Sequence, residues 1–81
     1  MHIYIGGDLM IRMKLHIKMA EIKITQKELS QLTGIRQPTI SAYCNEKYTM
    51  IPKEHLDILC KFFSCSIENI IEYIDDDILN Y

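Results

Sequence analysis

No apolar run in this 81-residue sequence approaches the ~20 residues that a helix needs to cross a bilayer. A membrane-spanning protein is therefore not the expected class. The opening MHIYIGGDL has neither the basic start nor the long apolar stretch of a secretory signal. Residues 1–9 read instead as a flexible leader or extension ahead of Met10. Cysteine is sparse and odd in number: Cys44, Cys60 and Cys65. No two share C-x-x-C spacing, so neither a disulfide framework nor a zinc site is expected, and reduced thiols in a cytoplasmic protein fit the pattern.

Recognisable catalytic and metal-binding patterns are missing as well. His2, His16 and His55 are scattered and match no zinc spacing. Asp75, Asp76 and Asp77 lack the alternating ligands of a calcium loop and read as part of a solvated acidic tail at 75–81. Gly6-Gly7 is too little glycine for a phosphate-cradling loop, and no nucleophile–base pair stands out. No catalytic residue, metal or cofactor is assigned, and the expected class is not an enzyme.

Net basic charge is also lacking. The whole chain carries −2. The distribution is more informative than the sum. Residues 1–50 hold seven basic side chains against four acidic, net +3, whereas residues 51–81 hold two against seven, net −5. A polyanion would meet the first half, and the acidic end would face away from it.

Apolar residues make up 48% of the chain and charged residues 25%, an ordinary balance for a small globular domain. The length allows one domain with a modest core, which favours a binding module over a substrate cleft. No repeat or low-complexity linker divides it, so residues 10–74 read as one unit.

Residues 10–15, MIRMKL, alternate with the period of a strand and turn Ile11, Met13 and Leu15 one way. Leu15, Met19 and Ile22 then share a helical face, predicting a first helix over residues 16–23. Thr25-Gln-Lys-Glu28 has the form of a capping box and starts a second helix with Leu29 and Leu32 inward. Gly34 ends it, because glycine accepts the positive φ of a helix stop. Pro38 fits only the first turn of a third helix, which starts near Arg36 or Gln37, turns Ile40 and Tyr43 inward and stops near Glu46. Pro52 opens a fourth helix over residues 53–63, with Leu56, Leu59, Cys60 and Phe63 on one face. Ser66 caps a short fifth helix. Residues 70–74, IIEYI, then return to extended form and pair antiparallel with residues 10–15, bringing Glu72 beside Arg12 or Lys14.

Helix, glycine turn and helix form an arrangement that leaves the outer side of the third helix free for a major groove about 12 Å wide. Ser30 is small where the two helices approach. Arg36 and Gln37 stand at the start of the third helix, where arginine suits guanine and glutamine suits adenine. Thr39 and Ala42, on the same exposed side as Pro38, suit a thymine methyl. Gln26 at the start of the second helix, with Pro38, Asn45, Lys47 and Tyr48, is placed for the phosphate backbone. Each of these residues also has a plainer reading as solvated surface, and Arg36 has a second one as a phosphate contact.

The segment TQKELSQLTGIRQPTISAY, residues 25–43, resembles the helix-turn-helix of Cro/cI-like (XRE family) regulators. YTMIPKEHLDILCKFFSCSIENIIEYI resembles the remainder of such a domain. The resemblance implies an all-α, five-helix, phage-repressor-like fold, to which the end-to-end strand pairing would be added. It also implies a transcriptional regulator, often a repressor, binding double-stranded DNA as a homodimer on a two-fold site. Two positions depart from the family pattern: Ser30 stands where alanine is common, and Tyr43 where an aliphatic residue is common. Tyr43 therefore needs a hydroxyl partner if it is buried. The alternative function is a protein-interaction module, such as an antitoxin or accessory regulator, motivated by the apolar IIEYI and the acidic end.

Overall fold

Four α-helices and a two-stranded sheet make up the computed structural model, which describes residues 11–74. The leader at 1–9, the strand expectation for Met10 and the acidic tail at 75–81 lie outside the described residues. In chain order the elements are β1 (Ile11–Met13), α1 (Leu15–Ile22), α2 (Gln26–Thr33), α3 (Gln37–Cys44), α4 (Lys53–Phe63), a 3-10 turn (Ile67–Asn69) and β2 (Ile71–Tyr73).

The two ends of the domain meet as the alternation predicts. β1 and β2 are antiparallel, with Ile11 opposite Tyr73, Arg12 opposite Glu72 and Met13 opposite Ile71. The Lys14 N–H extends the seam by donating to the Ile70 carbonyl at 2.6 Å. The Lys14 ammonium reaches Glu72 at 4.0 Å. A solvent-facing pair of that length contributes little, so apolar burial holds the seam. Met13 and Ile70 are buried to 2% and 0% exposure, whereas Ile11, expected to point inward with Met13, is 41% exposed. It is the first residue of a three-residue strand, and burial along the strand rises from Ile11 to Met13.

α1 begins one residue earlier than expected and buries Leu15 and Met19. Ile22, expected on the same face, is 54% exposed. The reason is the helix stop. Lys23 adopts the left-handed conformation, φ 55°. The chain reverses there, and the Ile24 N–H donates to the Met19 carbonyl at 3.0 Å. Ile24, not Ile22, is thereby folded onto the core.

α2 carries the expected capping box: the Glu28 N–H donates to Thr25 Oγ1 at 3.1 Å and the Thr25 N–H to Glu28 Oε1 at 2.9 Å. Leu29 is fully buried, but Leu32 is 66% exposed, which corrects its inward assignment. Gln26, Leu29, Ser30 and Thr33 form the covered side of this helix. Leu32 lies about 110° around the helix from the middle of that side. Spacing identified a stripe, but packing against α3 chose a stripe centred one residue over.

The central core joins every layer: Met13 from β1, Leu15 and Met19 from α1, Leu29 from α2, Ile35 from the turn, Ile40 and Tyr43 from α3, Leu59 from α4, and Ile70. Leu56, Cys60 and Phe63 pack around Leu59 as half-buried neighbours. The fifth helix is reduced to a single 3-10 turn. The Ser66 N–H donates to Asn69 Oδ1 at 3.2 Å, and the Ile70 N–H to the Ile67 carbonyl at 2.9 Å. Ile70 must then enter the core and the chain must extend into β2, which leaves no length for another turn. The fold is accordingly mostly helical, with four α-helices and a small sheet, rather than all-α with five.

Candidate nucleic-acid interface

The connection between α2 and α3 is fixed by short-range chemistry. Ser30 Oγ donates to the Ile35 carbonyl at 2.6 Å. Thr33 Oγ1 donates to the Leu29 carbonyl at 2.7 Å and accepts from the Ile35 N–H at 3.2 Å. Gly34 has φ 80°, and its N–H reaches the Ser30 carbonyl at 2.9 Å. A Cβ there would meet no atom within 4 Å, so glycine is required by its backbone angle and not by space. Ser30 therefore does more than fit: it ties the end of the turn back to α2, which an alanine would leave undone.

α3 starts from an extended Arg36 with Pro38 in its first turn, where a missing amide costs nothing. Ile40 and Tyr43, at 0% and 2% exposure, anchor its inner side. Arg36, Gln37 and Pro38 are exposed at its start, and Asn45 is exposed at its end. Thr39 and Ala42 are half-buried and not fully outward. With Pro38, Lys47 and Tyr48, they line a shallow groove of about 490 Å³ between α3 and the loop to α4. Gln26 is half-buried at the start of α2. Ser41 belongs to the same surface. A 3.6-residue period with Ile40 and Tyr43 inward places it beside Pro38 and Asn45. Asn45 Nδ2 donates to Ser41 Oγ at 3.3 Å, which makes the two a joined polar pair.

The hydroxyl groups beneath this surface are engaged. Tyr43 Oη meets His55 Nδ1 of α4 at 2.5 Å. This is the partner its burial demands. Tyr48 packs edge-on against Tyr43, with ring centroids 5.6 Å apart, and its hydroxyl donates to Glu46 Oε1 at 2.8 Å. The other carboxylate oxygen of Glu46 accepts the Met13 N–H at 3.3 Å. Glu46 thus links the loop after α3 to β1, with its own backbone held at φ 58°. Burial, with the Glu46 carboxylate adding to it, pushes the Tyr48 phenol up to about 12.

Acidic side chains stand only at the borders of the turn and α3. No acidic residue occurs between Glu28 and Glu46, a stretch that includes the turn and all of α3. Glu28 is occupied by its two bonds to Thr25, which hold its carboxyl below the ordinary value. Arg36 and Lys47 are exposed at either end of α3, and Lys27 is exposed at the start of α2.

The family model of the Cro/C1-type HTH DNA-binding domain matches residues 14–76, a span that takes in the helix capped at Thr25, the glycine turn and the uncharged second helix. The chain belongs to this family. It is a DNA-binding helix-turn-helix domain of the regulator class. No curated protein matches the chain. The family match spans α1 to β2, so the domain as a whole, and not the helix pair alone, follows the family pattern. Among the described residues, no helix is long and apolar enough to cross a membrane, and no group of three His, Cys, Asp or Glu side chains is placed to hold a metal.

Proposed function

We propose that this domain reads a specific double-stranded DNA sequence by laying α3 in the major groove, and that it acts as a repressor in the cytoplasm. The supporting observation is the composition of the α3 surface: exposed polar side chains at the helix start, no acid from residue 29 to residue 45, and basic residues at both ends. Arg36 and Gln37 supply directional hydrogen bonds to base edges, and Thr39 and Ala42 supply apolar contact to a thymine methyl. Gln26 and the start of α2 meet one phosphate strand. Pro38, Asn45, Lys47 and Tyr48 meet the backbone on the other side. Tyr48 must exchange Glu46 for a phosphate to do so. Ser41, bonded to Asn45, joins this surface.

A homodimer on a two-fold site places two α3 helices in successive grooves about 34 Å apart. Bound there, it blocks polymerase. Few basic groups are available, so binding is modest and falls steeply with salt. Gln37→Ala is expected to weaken binding to the preferred duplex by about 1–3 kcal/mol and to leave binding to random duplex unchanged. Equal losses on both duplexes, measured by fluorescence anisotropy at one salt concentration, would remove Gln37 from the reading set.

The second reading is an interaction module. It draws on exposed apolar side chains away from α3, notably Ile17, Ile22 and Tyr73 at 45%, 54% and 62% exposure. A stoichiometric partner that co-purifies, with no duplex retained at low salt, would favour it.

A further inference from the structure

Cys60 and Cys65 stand on either side of the turn that closes α4. The helix stops because Ser64 takes the left-handed conformation, φ 53°. The Cys65 N–H then donates to the Cys60 carbonyl at 3.0 Å, and the Ser64 N–H to the Lys61 carbonyl at 3.2 Å. This is a Schellman-type closure, which folds the residue beyond the cap back onto a residue of the last helical turn. The same closure at the end of α1 sets Ile24 against Met19. At the end of α4 the two residues brought together are both thiols.

A disulfide needs Cα atoms about 4.4–6.8 Å apart, and a direct backbone hydrogen bond between the two residues holds them near that span. Both cysteines are half-buried and so remain open to small reagents. Their surroundings differ. Cys60 is pushed up by burial first, then by Cys65 and by the carboxylates of Asp57 and Glu68. The Lys18 ammonium of α1 is held by Glu21 at 2.9 Å, and that contact first, with Cys65 last, pushes it up. Cys44 stands apart, directed at Met19 Sδ at 3.8 Å.

We propose that Cys60 and Cys65 form an oxidisable dithiol that a hydroperoxide converts into a disulfide across the C-terminal cap of α4. Cys65 is the sulfur that reacts first, because burial and the nearby carboxylates keep Cys60 in its thiol form and the thiolate is the nucleophile. It loses its proton to solvent and attacks the peroxide. A sulfur–oxygen bond forms, the oxygen–oxygen bond breaks, and the departing alkoxide or hydroxide takes up a proton. The sulfur is oxidised by two electrons to a sulfenic acid and the peroxide is reduced. Cys60 then attacks that sulfur. The sulfur–sulfur bond forms, the sulfur–oxygen bond breaks, and hydroxide leaves as water with the proton that Cys60 gave up. Two thiols and one hydroperoxide thus yield one disulfide, one alcohol or water, and one further water. The bridge ties the 3-10 turn, and the chain leading into β2, to the end of α4.

The test treats the reduced full chain with hydrogen peroxide at neutral pH, alkylates the remaining thiols and maps the peptides. Lys61 lies between the two cysteines, so trypsin separates them unless they are bridged. The expected result is a molecule lighter by two hydrogens, with the Cys60 and Cys65 peptides joined and Cys44 alkylated. Cys44→Ser keeps this product and Cys60→Ser abolishes it. A bridge to Cys44, covalent dimers between chains, or sulfinic acid at Cys65 without a bridge would overturn the proposal. Absence of a trapped sulfenic acid at Cys65 in Cys60→Ser would overturn the assignment of Cys65 as the first sulfur.

Discussion

Tyr43 on α3 places its hydroxyl 2.5 Å from Nδ1 of His55 on α4, and this bond spans the two helices that the loop at 45–52 separates. The rings are also set edge to face, with centroids 5.9 Å apart. A family position that is commonly aliphatic is here an aromatic with a polar tip, and α4 supplies the matching acceptor or donor. α3 is thereby tied to α4 by direction as well as by apolar contact.

Removing the Tyr43 hydroxyl is expected to cost stability without altering sequence preference. Tyr43→Phe keeps the ring in the core and leaves the His55 nitrogen without its partner. The expected loss is about 0.5–1.5 kcal/mol, the usual net worth of one such bond. Chemical denaturation of Tyr43→Phe, His55→Ala and the double variant measures it. Strict additivity of the two single changes would show that the bond contributes nothing.

Gly34 makes a separate claim about the turn. Space for a methyl group is present, so Gly34→Ala creates no clash. The side chain must nevertheless adopt φ near 80°, at an expected cost of about 1–2 kcal/mol. A midpoint shift of that size with an unchanged denaturant slope is the expected outcome. No shift would mean that the turn can settle at a negative φ.

Alkaline titration reports on Tyr48. Its phenol is pushed up to about 12, above the ordinary value of about 10. A group raised in the folded state lends stability that is complete below the unfolded value and is lost as pH climbs through the folded one. That contribution is therefore intact at neutral pH and disappears between about pH 10 and 12. Ultraviolet titration of the phenolate band should show a late-ionising tyrosine that is gone in Tyr48→Phe. Burial also pushes Tyr43 up, so a smaller late fraction persists. An identical late fraction in Tyr48→Phe would contradict the raised Tyr48 phenol, and with it the burial and Glu46 contact that cause it.

Features governed by neighbours in sequence were legible before the structure. The Thr25–Glu28 capping box, the Gly34 stop, the Pro38 and Pro52 helix starts and the meeting of residues 10–15 with 70–74 all depend on local geometry or simple alternation. Features that depend on which neighbour arrives were not. Leu32 and Ile22 fit an apolar stripe, but the cover supplied by α3 and the reversal at Lys23 left them outside. The side that Ser41 takes follows from Ile40 and Tyr43, but its bond to Asn45 depends on side-chain placement that no period encodes. The Tyr43–His55 bond links two helices, and no period or motif announces it. The fifth helix gave way to a 3-10 turn because Ile70 was needed in the core.

Selection of bound duplexes from a random pool, using the folded full chain at low salt, tests the central claim most directly. Reading by paired α3 helices predicts an enriched two-fold motif whose half-sites lie about one helical turn apart. A pool that remains random after repeated rounds would contradict sequence-specific reading by α3.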